Sequence, residues 1–313
     1  MDLDIVIVGG GPAGIAAAVW ANDLGLSSIV LDKADKLGGQ LWQIHNPIKN
    51  YPGMNTVNGE ELLEAFLRSA EHSKIQTRLG VQISAIEHDK RLLILSDGSR
   101  IFYKAVIFAT GVSRRKLGVL GEDRFVGNGI ISSGSKERAS VNGKHVIIIG
   151  GGDAAVENAL ILSDHAQKVT LIHRGSKLRA RAEFVDEVVK KPNVNIVFNS
   201  KVLEFVGGER LSSVMINIDP EIKPIRLDVD AALIRVGVEP NSEMVPNEVS
   251  RDNNGYLEID RYGATNIDGI YAVGDVANPI APTIATAIGN AASAVKSIYQ
   301  QIGENMDIFQ KYE

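Results

Sequence analysis

The feature that most constrains this chain lies in its first fourteen residues, which end Asp4-Ile5-Val6-Ile7-Val8-Gly9-Gly10-Gly11-Pro12-Ala13-Gly14. Four consecutive β-branched apolar residues read as a strand buried on both faces, because a strand with one wet face would alternate. They run straight into Gly9-x-Gly11-x-x-Gly14 and then into Ile15 to Trp20, whose run of alanines favours helix. Glycines at such a junction let the backbone turn tightly and approach a pyrophosphate, whose charge meets the unpaired N–H groups of the helix N-terminus. Asp32 closes the next apolar run, Ser28 to Leu31, and stands 23 residues after Gly9, about where an acid meets a ribose hydroxyl. A glycine-rich turn alone is weak evidence, since it can be only a turn. Strand, glycines, helix, strand and acid in this order point to a bound dinucleotide.

The pattern recurs. Lys144 to Ile149 reads as a second buried strand, followed by Gly150-x-Gly152-x-x-Ala155 and a helix, 141 residues after the first copy. The next strand, Lys168 to Ile172, ends in His173-Arg174 and not in an acid, and Lys177, Arg179 and Arg181 follow. Cations where an acid would hold a 2′-hydroxyl are what a 2′-phosphate needs, so the second copy favours NADP over NAD. The competing reading is a solvated basic turn, marked by Gly175 and Ser176.

Between and after the copies, glycine- and proline-punctuated residues 36–53 read as a loop, and Glu60 to Ala70 as a helix with Leu62, Leu63, Phe66 and Leu67 on one face. Strands are expected at 81–86, 91–95, 105–111, 195–205, 211–218, 230–237 and 269–275, and a small-residue helix from Thr283 to Tyr299. With 313 residues the chain has room for two domains. A net charge of −5 gives no reason to expect nucleic acid. No run approaches the ~18 apolar residues of a membrane helix and the first apolar run is too short for a signal peptide, so a cytoplasmic protein is the default expectation. The chain has no cysteine, which excludes disulfides, thiolate zinc sites, iron–sulfur clusters and any thiol nucleophile. The six histidines show no ligand spacing, and no metal is expected.

Both glycine motifs, the Ala109-Thr110-Gly111 turn and the terminal Gly274-Asp275 followed by a helix together resemble the two-dinucleotide-binding-domain flavoproteins. Within them the chain is similar to the low-molecular-weight thioredoxin reductases. Gly38-Gly39-Gln40-Leu41 and Asn50-Tyr51-Pro52-Gly53 match that group's flavin loop, and the second glycine motif with His173-Arg174 matches its NADPH motifs. The resemblance implies an α/β fold of two Rossmann-like domains, the second inserted into the first. An FAD domain would comprise residues 1–112 and 242–313, and an NAD(P)H domain residues 113–241. It implies FAD contacts at Gly11, Pro12, Ala13, Gly14, Asp32, Gln40, Asn50, Ile83, Gly111 and Asp275, with Thr283 and Ile284 at the pyrimidine edge of the flavin. NADPH contacts would be Gly152, Asp153, Ala154, His173, Arg174 and Arg179. Where the group has a second arginine after the first, this chain has Gly175; Lys177 or Arg181 would have to compensate, and NADH stays open. A homodimer is also implied.

A second departure decides more. Thioredoxin reductases carry a Cys-x-x-Cys pair just upstream of the second glycine motif, and here Ser133 and Lys136 stand in those places. A serine cannot carry electrons from flavin to a disulfide, so no catalytic protein residue is assigned and the flavin would deal directly with an outside partner. Cysteine-free proteins that look like this one include the thioredoxin-reductase-type ferredoxin (flavodoxin)–NADP reductases. The leading expectation is therefore an enzyme exchanging electrons between NADPH, FAD and a small acidic carrier, ferredoxin or flavodoxin, received by Arg114, Arg115, Lys116, Lys136 and Arg138. The alternatives are a flavin reductase of a quinone, oxygen or low-molecular-weight disulfide, or a flavin-binding redox-sensing module without turnover. In the tail, Phe309 or Tyr312 is a candidate to cover the flavin.

Overall fold

The computed structural model describes residues 2–220 and 223–310, with side chains described as far as residue 303. In chain order the elements are β1 (Asp2–Val8), α1 (Pro12–Asp23), β2 (Ser28–Asp32), α2 (Gly59–His72), β3 (Thr77–Leu79), β4 (Ile83–Glu87), β5 (Leu92–Leu95), β6 (Arg100–Phe108) and β7 (Val112–Arg114). Then come α3 (Glu122–Phe125), β8 (Ile130–Ile131), α4 (Gly134–Glu137), β9 (His145–Ile149), α5 (Asp153–Ser163), β10 (Lys168–Ile172), α6 (Ala182–Val188) and β11 (Val194–Val197). The last are β12 (Ser200–Gly207), β13 (Leu211–Ile218), β14 (Ile225–Asp228), β15 (Ala231–Ile234), β16 (Val238–Pro240), β17 (Ile270–Ala272) and α7 (Ile284–Gln310). The chain divides into two compact units, one of Met1–Ser113 with Glu239–Glu313, the other of Arg114–Val238.

The first unit is built on a sheet ordered β3-β2-β1-β6-β5-β4, with β17 also beside β6. Strands β1, β2, β3, β6 and β17 run parallel, while β5 is antiparallel to β4 and β6. Central β1 explains its own sequence. Ile5 and Ile7 enter a cluster with the alanines of α1 and with Ala287, Ala291 and Ala294 of α7. Val6 and Val8 enter the opposite cluster with Leu93, Phe108 and Val245. Ile5, Val6 and Ile7 are each 0% exposed, worth about 1.5–3 kcal/mol apiece relative to exposure. Helix α1 is nearly all alanine on its inner side because it sits directly on the sheet beside α7, where larger side chains would hold the helices apart. The C-terminal ends of β1, β2, β6 and β17 share one edge, so the turns that follow them converge there.

The second unit repeats the plan. Its parallel sheet runs β11-β10-β9-β15-β8, with β9 leading through the second glycine turn into α5. A three-stranded antiparallel sheet, β12-β13-β14, completes it. Clusters around Val146, Ile148 and Leu171 on one face and Ile147, Ile149 and Ile172 on the other give this unit its own core.

Two expectations change. Residues 195–205 form not one strand but the end of β11 and the start of β12, in different sheets. The break is at Phe198-Asn199, where Asn199 takes φ +50° and donates its N–H to the Gly175 carbonyl at 3.1 Å. The loop at 36–53 contains a 3₁₀ turn, Gly39–Gln43, whose Leu41 is buried against Leu62 and Leu63 of α2. Strands β3 and β14 and helix α6 had no sequence signal, being short and bordered by polar residues.

Candidate functional site

In the first glycine turn the three glycines have different causes. A β-carbon on Gly9 would lie 2.4 Å from the Ala109 carbonyl oxygen, and one on Gly14 only 1.8 Å from that of Gly9. Those positions are glycine because the protein's own backbone fills the space. A β-carbon on Gly11 would meet nothing nearer than the Gly39 Cα at 3.9 Å, so its open side faces outward. Gly11 is the N-cap of α1 and offers no side-chain cap, and Pro12 occupies the first helical position. Helix α2, by contrast, is capped by Asn58, which accepts from the Glu61 N–H at 2.9 Å. An uncapped helix start behind an open glycine leaves the amides of Ala13 and Gly14 for an anion, which fits a pyrophosphate.

Around this turn the structure gathers most of the expected residues of the first unit. The Asp32 carboxylate accepts from the Gly10 N–H at 2.6 Å and the Ala34 N–H at 2.8 Å, which anchors it at the turn. Asp32 and Ile83 line a cavity of about 440 Å³ with Val8, Gly9, Gln82, Thr110 and Met244. The Gln40 amide approaches Gly111, which takes φ +64°, and Gly39 packs on Gly11. Gly274 packs against Ala13, which places Asp275 beside the start of α1. Burial pushes the Asp275 carboxyl above its ordinary value, and no described side-chain hydrogen bond satisfies it. A half-buried acid without a protein partner fits the hydroxyls of a ligand chain.

Thr283 stands immediately before α7. Its N–H already donates to the Ala281 carbonyl at 2.8 Å, and its hydroxyl accepts from the Thr286 N–H at 3.2 Å, capping α7. The unpaired amides of that helix therefore begin at Ile284. Asn50 is exposed in the loop closed by the Ile48–Thr56 pair, and no described contact ties it to the turn. The Phe309 side chain and Tyr312 lie outside the described residues.

The second cradle repeats the logic. A β-carbon on Gly150 would lie 2.1 Å from the Arg235 carbonyl oxygen, whereas Gly152 has nothing within 4 Å and starts α5 without a side-chain cap. His173 is 5% exposed, and its ring lies under the turn, 2.3 Å from where a Gly151 β-carbon would be. Burial and the nearby Arg179 charge hold its pKa below the usual histidine value, so the ring is a neutral wedge. The following loop folds over the turn, with the Arg179 N–H on the Gly151 carbonyl at 2.7 Å and the Arg181 N–H on Asp153 at 2.7 Å. Asp153 is thus a loop anchor. Arg181 also pairs with Asp153 at 3.1 Å and Glu183 at 3.0 Å and stacks on Phe184. That leaves Arg174, Lys177 and Arg179, all exposed and without a described ion pair, as the cations turned to solvent at this loop.

At the position of the missing dithiol the chain forms a closed turn. Ser133 is buried and caps α4, its hydroxyl accepting from the Lys136 N–H at 3.3 Å. Glu137 Oε1 accepts from the Ser132 N–H and hydroxyl at 2.7 Å each and from the Ser133 N–H at 3.0 Å. Arg114 and Arg235 both donate to the Ser132 carbonyl, Arg235 at 2.9 Å. Of the other cations expected here, Arg115 donates to the Val238 carbonyl and Lys116 pairs with Asp123 at 2.6 Å, while Lys136 and Arg138 are exposed. Glu137 and Arg235 were missed in the sequence. Their signals were a Ser-rich helix start followed by Glu, and a charge at the C-terminal end of a buried strand.

Two Rossmann-like units with paired open glycine turns define a class, the flavoproteins that work with FAD and a nicotinamide dinucleotide. The chain belongs to the family described as pyridine nucleotide-disulphide oxidoreductase, which matches residues 3–297. It is 34% identical to the thioredoxin reductase of Mycoplasma genitalium, over 96% of this chain and 95% of that one. It is 30% identical to the "34.2 kDa protein in rubredoxin operon" of Clostridium pasteurianum, over 96% and 97%. Among solved structures, Lactococcus lactis thioredoxin reductase superposes with a TM-score of 0.85 at 30% identity, over 96% and 99%. The chain is accordingly a thioredoxin-reductase-like oxidoreductase of a family that uses FAD and NADPH. No helix among the described residues is long and apolar enough to cross a membrane.

Proposed function

We propose that this protein exchanges electrons between NAD(P)H, FAD and an external carrier, a small acidic redox protein of the ferredoxin or flavodoxin kind, without an enzyme dithiol. The observation that carries the reading is the coexistence of two open dinucleotide cradles with a chain that has no cysteine. The unit of Met1–Ser113 and Glu239–Glu313 holds FAD, and Arg114–Val238 holds the nicotinamide nucleotide. In the first, Gly11, Pro12, Ala13 and Gly14 receive the pyrophosphate, Asp32 and Ile83 the adenosine end, and Gln40, Asn50, Gly111 and Asp275 the remainder. Ile284, at the start of α7 capped by Thr283, turns its amide to the flavin edge. In the second, Gly152, Asp153 and Ala154 form the pyrophosphate turn, His173 shapes it, and Arg174 and Arg179 receive the 2′-phosphate. The bound cofactors supply hydride transfer from nicotinamide to flavin, and the protein supplies position and charge.

The name of the Clostridium pasteurianum relative, which sets it in a rubredoxin operon, supports an outside carrier. The test is an anaerobic titration of the flavin band with NADPH and NADH, followed by reoxidation with ferredoxin, flavodoxin, a quinone, oxygen and a small disulfide. Bleaching by NADPH and fastest reoxidation by a protein carrier are expected. Preference for the quinone or disulfide would make it a flavin reductase. No bleaching by either nucleotide would leave only a flavin-binding module or an enzyme fed by a protein donor.

A further inference from the structure

The chain's −5 is unevenly placed. Residues 114–238 carry 19 Lys and Arg against 15 Asp and Glu, whereas the other unit carries 14 against 23. Part of the basic surplus belongs to the loop at 174–181, but a second part gathers around the Ser132–Glu137 turn. There, two guanidinium groups converge on one carbonyl oxygen, that of Ser132. Arg235 has a further bond to the Ile234 carbonyl at 2.8 Å, so each arginine keeps several N–H donors unassigned. Their only carboxylate neighbour on the turn is Glu137, and its Oε1 already takes three donors from Ser132 and Ser133. Burial and mutual repulsion hold Arg235 down to about 10, and burial lowers Arg114 as well. Exposed Lys136 and Arg138 add charge beside the pair.

Holding two like charges against one neutral acceptor costs desolvation and repulsion, and an incoming carboxylate counters the repulsion and offsets the desolvation through charge-assisted hydrogen bonds. A basic patch with an exposed planar fork at Arg114 suits a carboxylate on the surface of an acidic protein. We infer that Arg114 and Arg235, presented by the Ser132–Glu137 turn, are the docking pair for an acidic redox protein. This rests on the outside-carrier reading and assigns to it a place on the second unit.

The test is a binding titration of the FAD-loaded protein with an oxidised [2Fe–2S] ferredoxin at low salt, using wild type, Arg114→Gln, Arg235→Gln and Arg114→Lys. Each Gln variant is expected to weaken binding about tenfold and to flatten its salt dependence, with Lys recovering part of the loss. NADPH-driven reduction of a neutral quinone should be the same in all four. Unchanged ferredoxin binding in the Gln variants overturns the proposal, including the case where only their Tm falls, which would make the arginines a clamp on Ser132. So does absence of binding to wild type at low salt. Competition by inorganic phosphate beyond that of chloride at equal ionic strength would assign the pair to a small anion and overturn it too. If ferredoxin binds through the pair but receives no electrons, the outside-carrier reading fails for ferredoxin and the docking surface stands. If electrons pass and the variants are silent, the docking surface fails and the reading stands.

Discussion

A methyl group at Gly14 has to occupy space 1.8 Å from the Gly9 carbonyl oxygen, whereas one at Gly11 meets nothing closer than 3.9 Å. Gly14→Ala is therefore expected to lower the Tm strongly or prevent folding, because backbone rather than a movable side chain is in the way. Gly11→Ala is expected to leave the Tm of the flavin-free protein unchanged and to weaken FAD binding by about tenfold or more, ~1.4 kcal/mol. Fluorescence titration with FAD separates the two. Asp275 is tested through pH. Burial raises its pKa above the ordinary 3.8, so the folded apoprotein holds a proton more tightly than the unfolded chain. Stability contributed by that proton is present below the unfolded value and lost as pH rises through the folded one. Asp275→Asn should accordingly raise the Tm of the apoprotein at neutral pH, by an amount that shrinks as pH falls toward 3.8, while weakening FAD. Equal Tm values at pH 7 would count against an unpartnered acid there.

The loop between β10 and α6 shows what a sequence can and cannot disclose. Its position was legible, because a buried strand ending in His173-Arg174 directly after a glycine-rich βαβ start has few other readings. Which of its cations face a ligand was not. Arg181 is tied to Asp153, 28 residues earlier, and that pairing depends on the loop folding back over the turn. The same long-range closure splits the expected strand at Asn199, whose amide bonds to Gly175. In the same way, the capping of α7 by Thr283 became visible only with Thr286 in place. Buried apolar runs announce strands because burial imposes them locally, while partners chosen across the fold leave no local trace. From this follows a contrast among arginines. Arg174→Ala and Arg179→Ala should each raise the KM for NADPH about tenfold and leave that for NADH nearly unchanged. Arg181→Ala should lower the Tm without altering the ratio. A KM ratio that moves only in Arg181→Ala would reverse the assignment.

At the scale of the molecule, each unit has hydrophobic clusters made wholly of its own residues. Near the start and end of the second unit, the Arg115 N–H bonds to the Gly237 carbonyl at 3.0 Å, so the segment begins and finishes at neighbouring points. Residues 114–238 expressed alone should then unfold cooperatively, with a Tm that NADPH raises by mass action. A non-cooperative melt, or a Tm indifferent to NADPH, would show that the unit depends on the rest of the chain. The Ser132–Glu137 turn has one more consequence. It is stitched by oxygen and nitrogen donors alone, and so has a single oxidation state. Alkylating agents, heavy metals and peroxide, which silence an enzyme through its sulfhydryls, find no such target anywhere in the chain. Treatment of the purified protein with a thiol-alkylating agent should accordingly leave no covalent cysteine adduct for mass spectrometry to find.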